Sequence, residues 1–286
     1  MLYSLSVFIT GLFSYRRRPK EQATFSGSKP LPKISIILPV KNEESVIKRC
    51  FDSLTTLKYQ KDYYEVIVVE DGSIDKTREI CSEYSLKYPG LIRFFRKETS
   101  NGKPSALNFA LSKATGDVVG VFDADCVPSP DMLSKVALEF NKGADAVQGM
   151  PMAINKGDDF WTRLLAHETD AWFKAYMFGR DRLGLFLPLS GSCQFIRRSI
   201  LEQLKGWKEN TLTEDMELSL RIARSSIFLH YRPEISAKQE VPSSLRAFLI
   251  QRLRWFRDGQ NSYPRPFSRS RTSRFSMEWL PFWGRS

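Results

Sequence analysis

The amino-acid sequence predicts an α/β protein, a mainly parallel, twisted β-sheet with flanking helices. Three observations predict it. Short apolar runs rich in β-branched residues recur along the chain, the stretches between them have helical spacing, and acidic or turn-forming residues close the runs. Strands that alternate with helices imply crossover units and parallel pairing. The chain has 286 residues and is 42% hydrophobic, enough for one sizeable core.

The elements follow in order. "KISIILPV" (33–40) reads as a buried strand, followed by a helical pattern from about Glu43 to Leu57. "EVIVVED" (65–71) is the next strand, with a helix from about Ile74 to Tyr88. "LIRFF" (91–95) is a third strand, 103–113 a helix, and "DVVGVF" (117–122) a fourth strand. After Pro130 come a helix to about Asn141, a strand "ADAVQG" (144–149) and a long helical stretch over 159–180. Residues 183–199 mix strand and turn signals, a helix starts near Thr213, "IFLHY" (227–231) is a short strand, and Ser243 to Gln260 reads as a helix.

The ends differ from the body. Met1–Phe13 is apolar but too short for the ~20 residues of a bilayer span, and Arg16, Arg17 and Arg18 follow it. The stump of a longer membrane helix, an interfacial anchor, a signal-like segment and a frayed terminus all compete. Cations after the apolar run argue against a secretory signal and for a cytoplasmic flank. Residues 20–32 read as a linker, giving an N-terminal segment over 1–32, a main domain over 33–260 and a tail over 261–286. From Arg246 to Arg274 there are eight arginines and one acid, Asp258, which suits either a membrane-surface segment or a disordered end.

The formal net charge of +11 favours phosphate-rich partners: nucleic acid, anionic lipid or a nucleotide. No RNA- or DNA-binding motif is recognisable. Cys50, Cys81, Cys126 and Cys193 lack metal-knuckle spacing and read as reduced core thiols; His167 and His230 are too few for a histidine metal site. "LSGSCQF" (189–195) lacks the second glycine of a hydrolase elbow.

The chemistry gathers where strands end. Asp123 and Asp125 are two residues apart, so on a strand they share one side, at the carboxyl edge where open parallel sheets bind ligands. Two such carboxylates ~5 Å apart at an effective dielectric near 20 cost ~3 kcal/mol. A hard divalent cation, Mg²⁺ or Mn²⁺, relieves this, commonly with substrate phosphates completing its shell. Asp71 opens an Asp-Gly turn, so turn capping competes with ligand binding there. Lys103 follows Gly102 near a helix start, a setting that suits phosphate. Thr211 and Glu214 fit a capping box, which leaves Asp215 the better functional candidate. Gln251, Arg254 and Trp255 share one helical face, where a guanidinium could pair with phosphate and an indole stack on a sugar.

Taken together, "ISIILPVKNEE", "VIVVEDGSIDKT", "GKPSALNFAL", "FDADCVP", "TEDMELSLRI" and "QRLRW" resemble a family 2 glycosyltransferase over residues 33 to about 260. They are similar to the membrane-associated branch of cellulose, hyaluronan and poly-N-acetylglucosamine synthases. The resemblance implies a GT-A fold with C-terminal interfacial helices, a nucleotide-diphosphosugar donor, a glycan or lipid acceptor, and an inverting mechanism at a membrane, on its cytoplasmic side. It implies that Pro39, Glu43 and Asp71 line a nucleoside pocket, that Lys103 lies near the diphosphate, and that Asp123 and Asp125 hold nucleotide and metal. It further implies Asp215 as catalytic base, Gln251, Arg254 and Trp255 closing over diphosphate and acceptor, and Gly191, Ser192, Cys193 and Glu214 beside the acceptor. One departure is visible: no apolar stretch after Tyr263 reaches membrane-spanning length, so a single-addition glycolipid synthase competes with a polymer synthase.

Overall fold

The computed structural model describes residues 2–17, 30–209, 211 and 213–262. Among the described residues eight strands form one sheet, and the first four fall where the short apolar runs put them. They are β1 (Ile34–Val40), β2 (Tyr64–Glu70), β3 (Ile92–Arg96) and β4 (Val118–Val121). All four are parallel, with β1 between β2 and β4 and β3 outside β2. Pro39 lies beyond the last pairing with β4, Ile37↔Val121, where a missing N–H breaks no bond to that strand.

The second half of the sheet adds antiparallel pairs to the expected mainly parallel arrangement. It contains β5 (Val127–Pro128), β6 (Ala146–Ala153), β7 (Gln194–Arg197) and β8 (Leu229–Gln239). The order is β3-β2-β1-β4-β7-β6-β8-β5. β7 runs antiparallel to both β4 and β6, and β5 runs antiparallel to β8, so the sheet is mixed, although β6 and β8 still pair in parallel. β8 extends eight residues past the predicted end at Tyr231.

Helices cover both faces. α1 (Leu2–Arg17) precedes the sheet; α2 (Ile47–Thr55), α3 (Thr77–Lys87), α4 (Lys103–Leu111) and α5 (Met132–Asn141) connect its first strands. α6 (Phe160–Ala171) runs through a π-helical turn, Trp172–Met177, into α7 (Phe178–Arg182), which together match the predicted stretch over 159–180. α8 (Arg198–Gln203), α9 (Glu214–Arg224) and α10 (Leu245–Ser262) complete the set.

Alternation along β1 explains the layering. Ile34, Ile36 and Leu38 point into one core with Phe51 and Leu54 of α2 and Cys81 of α3. Ile37 points into the other with Ala106 and Leu107 of α4, Leu218 of α9, and Trp207 from the loop between α8 and α9. Burying each such aliphatic side chain stabilises the fold by about 1.5–3 kcal/mol. The four cysteines are free and buried, as the sequence suggested.

The N-terminal segment is helical and docked. A Cβ on Gly11 would sit 1.7 Å from Ala175 O, and one on Gly179 would sit 2.1 Å from Val7 O. The two backbones therefore touch, which only small residues permit. Among the described residues no helix is long and apolar enough to cross a membrane. The predicted linker over 20–32 lies largely outside the described residues, as does the tail beyond Ser262.

Candidate active site

The sheet's C-terminal edge collects the candidate residues. β4 stops at Val121, so Asp123 and Asp125 are not on a strand and do not meet through strand alternation. A turn brings them together instead, closed by Cys126 N–H donating to Asp123 O at 3.1 Å. Asp125 Oδ2 accepts the Glu240 N–H at the end of β8 (3.2 Å). Burial, then the charge of Asp123, raises the Asp125 carboxyl above its ordinary range. Glu43, after β1, is pushed up to about 7 by burial and by the same two aspartates.

Lys103 sits at the first position of α4, aimed across the site. Its Nζ donates to Asp123 Oδ1 (2.8 Å) and to the Gly191 carbonyl (3.2 Å), and pairs with Glu214 Oε1 (3.2 Å). Burial works against this ammonium, but Asp123 and Glu214 outweigh it and hold it charged. Lys103 thus joins Asp123, after β4, to the N-terminus of α9.

α9 begins at Glu214, and the predicted capping box is absent: Thr211 Oγ1 donates to Lys208 O instead (2.8 Å). Glu214 is free to face Lys103. Next to it, Asp215 is raised to about 6, first by burial, then by Glu214, with Lys103 opposing. A helix N-terminus favours an ionised acid, but here burial and the neighbouring carboxylate win. Ser219 Oγ, buried, donates to Asp215 O (2.6 Å) and accepts from Leu189 N–H (2.8 Å), tying α9 to the segment before β7. That segment carries Gly191 at φ +73°, and a Cβ there would stand 3.2 Å from Asp215 Oδ2.

The remaining candidates divide. Ser192 Oγ accepts the Asp123 N–H at 3.2 Å. Cys193 is fully buried with Sγ directed at Ile235 O (3.8 Å), so it shapes the site through its backbone. Asp71 accepts from Ser100 Oγ (2.9 Å) and Gly102 N–H (3.0 Å) and pairs with Lys97 (3.2 Å), which pins the loop leading to Lys103. Pro39 is half-buried on β1. Gln251 lies on α10, and no described contact joins it to Lys103 or Asp215; the neighbouring Arg252 pairs with Glu168 of α6 (2.5 Å). The side chains of Arg254 and Trp255 lie outside the described residues. Sequence reasoning missed Ser219, Glu240 and Gln148; the last fills the turn before β7.

Among the described residues no three His, Cys, Asp or Glu side chains form a protein-made metal cage. The fit is to an ion held by one or two carboxylates together with a ligand's phosphates, as Mg²⁺ commonly is. The mutually repelling Asp123 and Asp125 are suited to it.

The profile of glycosyl transferase family 2 matches residues 35–205, and the chain belongs to this family. It is 34% identical over 236 residues to a Bacillus subtilis protein named "Probable glycosyltransferase YdaM", covering 81% of this chain and 56% of that one. It is 32% identical over 272 residues to the β-monoglucosyldiacylglycerol synthase of Nostoc sp., covering 90% of this chain and 57% of that one. The chain thus spans little more than half the length of these relatives. Its fold matches the mannosyltransferase PcManGT of Pyrobaculum calidifontis, solved with GDP-Man and Mn²⁺, at a TM-score of 0.63 and 23% identity over 91% of this chain and 73% of that one. The mixed sheet with its flanking helices is therefore GT-A-like.

Proposed function

We propose that this chain is the catalytic domain of an inverting, metal-assisted glycosyltransferase. It moves a sugar from a nucleotide diphosphosugar, foremost a UDP-sugar, to a hydroxyl of a lipid acceptor at a membrane surface. The observation that carries the reading is Lys103. One ammonium contacts Asp123, on the diphosphate side, and Glu214, beside the base.

Transfer forms a bond from the acceptor oxygen to the anomeric carbon while the bond from that carbon to the diphosphate oxygen breaks. One in-line displacement inverts the centre, so an α-linked donor gives a β-linked product. Asp215 takes the acceptor hydroxyl's proton; with its carboxyl at about 6 it is largely ionised at neutral pH and still near the optimum for a base. Lys103 brings positive charge to the departing diphosphate. Asp125, with Asp123, would hold Mg²⁺ or Mn²⁺, which when bound neutralises charge on the leaving group. Pro39, Glu43 and Asp71 line the nucleoside pocket in this reading, Gln251 and Arg254 close on the diphosphate, and Gly191, Ser192, Cys193, Glu214 and Trp255 border the acceptor.

The Nostoc relative's name is that of an enzyme making a β-linked glycolipid, which favours a lipid over a growing polymer. α1 supports a membrane surface. Its inner face is fixed by Gly11, while Leu5, Ile9 and Phe13, at i, i+4 and i+8, are 50%, 43% and 56% exposed. Arg16 and Arg17 close the same helix, suited to an anionic, cytoplasmic leaflet.

The test uses the full chain with anionic vesicles containing diacylglycerol, UDP- or GDP-sugars, and Mg²⁺ or Mn²⁺. The expected products are nucleoside diphosphate and a lipid-extractable β-glycoside, both lost on chelation. Polymer in the aqueous phase reassigns the acceptor to a glycan. Release of inorganic pyrophosphate, or full turnover after chelation, overturns the reading.

A further inference from the structure

The turn before β7 touches several charged groups of the site. Gly191 O receives the Lys103 ammonium, Ser192 Oγ receives the Asp123 N–H, and the Gly191 Cα faces the Asp215 carboxylate. The turn is not a relaxed one. Gly191 takes φ +73° at no cost, as glycine can, but Cys193, a residue with a side chain, has φ +52°, a conformation that persists only where surroundings enforce it.

Gln148 is the enforcer. Its carboxamide is fully buried. Nε2 donates to Ser192 O (3.0 Å), Cys193 O (3.3 Å) and its neighbour Gly149 O (2.9 Å), sharing two hydrogens among three acceptors. Oε1 accepts the Ser190 N–H (2.9 Å), a donor that fixes which end of the amide is oxygen. One side chain thus ties residues on both sides of Gly191.

The partner strand gives way at this point: between Gln148↔Tyr231 and Met150↔Ser236 β6 advances two residues while β8 advances five, so the bulge lies in β8. Gly149 lies in the break, its N–H bonded to Cys193 O (2.8 Å), and a Cβ there would lie 2.5 Å from Ile235 O and 2.6 Å from Cys193 Sγ. β6 and the turn before β7 are thus packed backbone to backbone beside Gln148.

We propose that Gln148 is a positioning residue for transfer. Through the 190–193 turn it sets Lys103, on the leaving-group side, relative to Asp215, on the acceptor side, without touching either substrate. The inference rests on the glycosyltransferase reading for its kinetic consequence. Its structural half, that Gln148 holds the turn, stands independently.

The test is Gln148→Met, of similar length and without hydrogen bonds, in the full chain, using the donor and acceptor on which the unaltered protein turns over. Donor affinity and the number of donor-binding sites are measured by equilibrium titration, and kcat is expressed per donor-binding site. The expected result is donor affinity within threefold, kcat per site lowered about 10- to 100-fold, and a raised acceptor KM. Hydrogen exchange at 189–193 should accelerate at least tenfold with the β1–β4 amides unchanged. A merely structural role would reduce the number of donor sites and leave kcat per site unaltered, and that result overturns the proposal, as does unchanged exchange at 189–193. If Gln148→Met does not fold, Gln148→Glu, which keeps the acceptor for Ser190, is judged by the same outcomes. An unaltered protein that moves no sugar refutes the functional reading instead, and the exchange measurement still decides whether Gln148 holds the turn.

Discussion

The two edges of the sheet use carboxylates in opposite ways. At the N-terminal edge, Glu65, the second residue of β2, is surrounded by donors: Ser35 Oγ (2.7 Å), Thr115 N–H (2.8 Å) and Oγ1 (2.7 Å), and the Arg93 guanidinium. Burial alone would raise its carboxyl, but these hydrogen bonds win and lower it. The cluster stitches β1, β2, β3 and the approach to β4 together. At the C-terminal edge, Glu43, Asp125 and Asp215 are each raised, and in each case a neighbouring carboxylate contributes. A carboxylate given its own donors completes a structure, whereas carboxylates set against one another favour a cation or a proton from outside. Asp71 marks the boundary, a C-terminal-edge acid with enough partners to act as an anchor.

The sharpest way to break this contrast is to neutralise one acid at each edge. Asp215→Asn should lower kcat by about 10³-fold, within the range for losing a general base, while the donor Kd stays within twofold and the melting temperature does not fall. Stopped assays paired with donor titration check it. A folded variant that no longer binds donor would show Asp215 to be a binding group.

Glu65→Ala should do the reverse. Removing one member of a buried, hydrogen-bonded pair costs about 3 kcal/mol, read by urea unfolding, with kcat and KM of the folded fraction unchanged. The sign of its pH dependence follows from the lowered carboxyl. Its stabilisation is fully present above the unfolded carboxyl range and is lost as pH falls, so wild type and Glu65→Ala should converge in acid. A kinetic defect at matched folded fraction would undo the division between the edges.

Much of this was legible in the sequence, for definite reasons. β1, β2 and β4 are short and buried almost throughout, so apolar pattern and burial agree, and β2 and β4 run into acids. β8 outruns its apolar start: Arg232, Pro233 and Glu234 interrupt the apolar run in sequence. Yet Tyr231, Pro233, Ile235 and Ala237 alternate inward, the period of a half-buried strand. β7 hid in a segment of turn residues because its partners are distant in sequence. Asp123 carries a signal of its own, whereas Lys103 and Asp215 owe theirs to the family resemblance, and the Lys103–Glu214 pair joins residues 111 positions apart, which no local pattern encodes. Gln148 carries no signal: an amide in a strand becomes informative only when its partners in the 190–193 turn, over 40 positions away, are known.

The finest test of the contrast is Glu43, because its penalty should be conditional. Its carboxyl is raised from 4.5 to about 7, so the folded protein holds this proton more tightly than the unfolded chain. The sign is opposite to that of Glu65: stability falls as pH rises from about 4.5 through 7. The unscreened ceiling is roughly 3 kcal/mol, but Glu43 is only half-buried, and screening reduces it to about 1 kcal/mol. In metal-free buffer Glu43→Gln should therefore be about 1 kcal/mol more stable than wild type at pH 8 and no more stable at pH 4. Burial comes first among the causes, then Asp125 and Asp123, so a cation held by those aspartates should shrink the advantage at pH 8 when Mn²⁺ and a nucleoside diphosphate are added. An advantage equally large with both ligands present would place the cation elsewhere and leave burial as the dominant cause of the Glu43 shift.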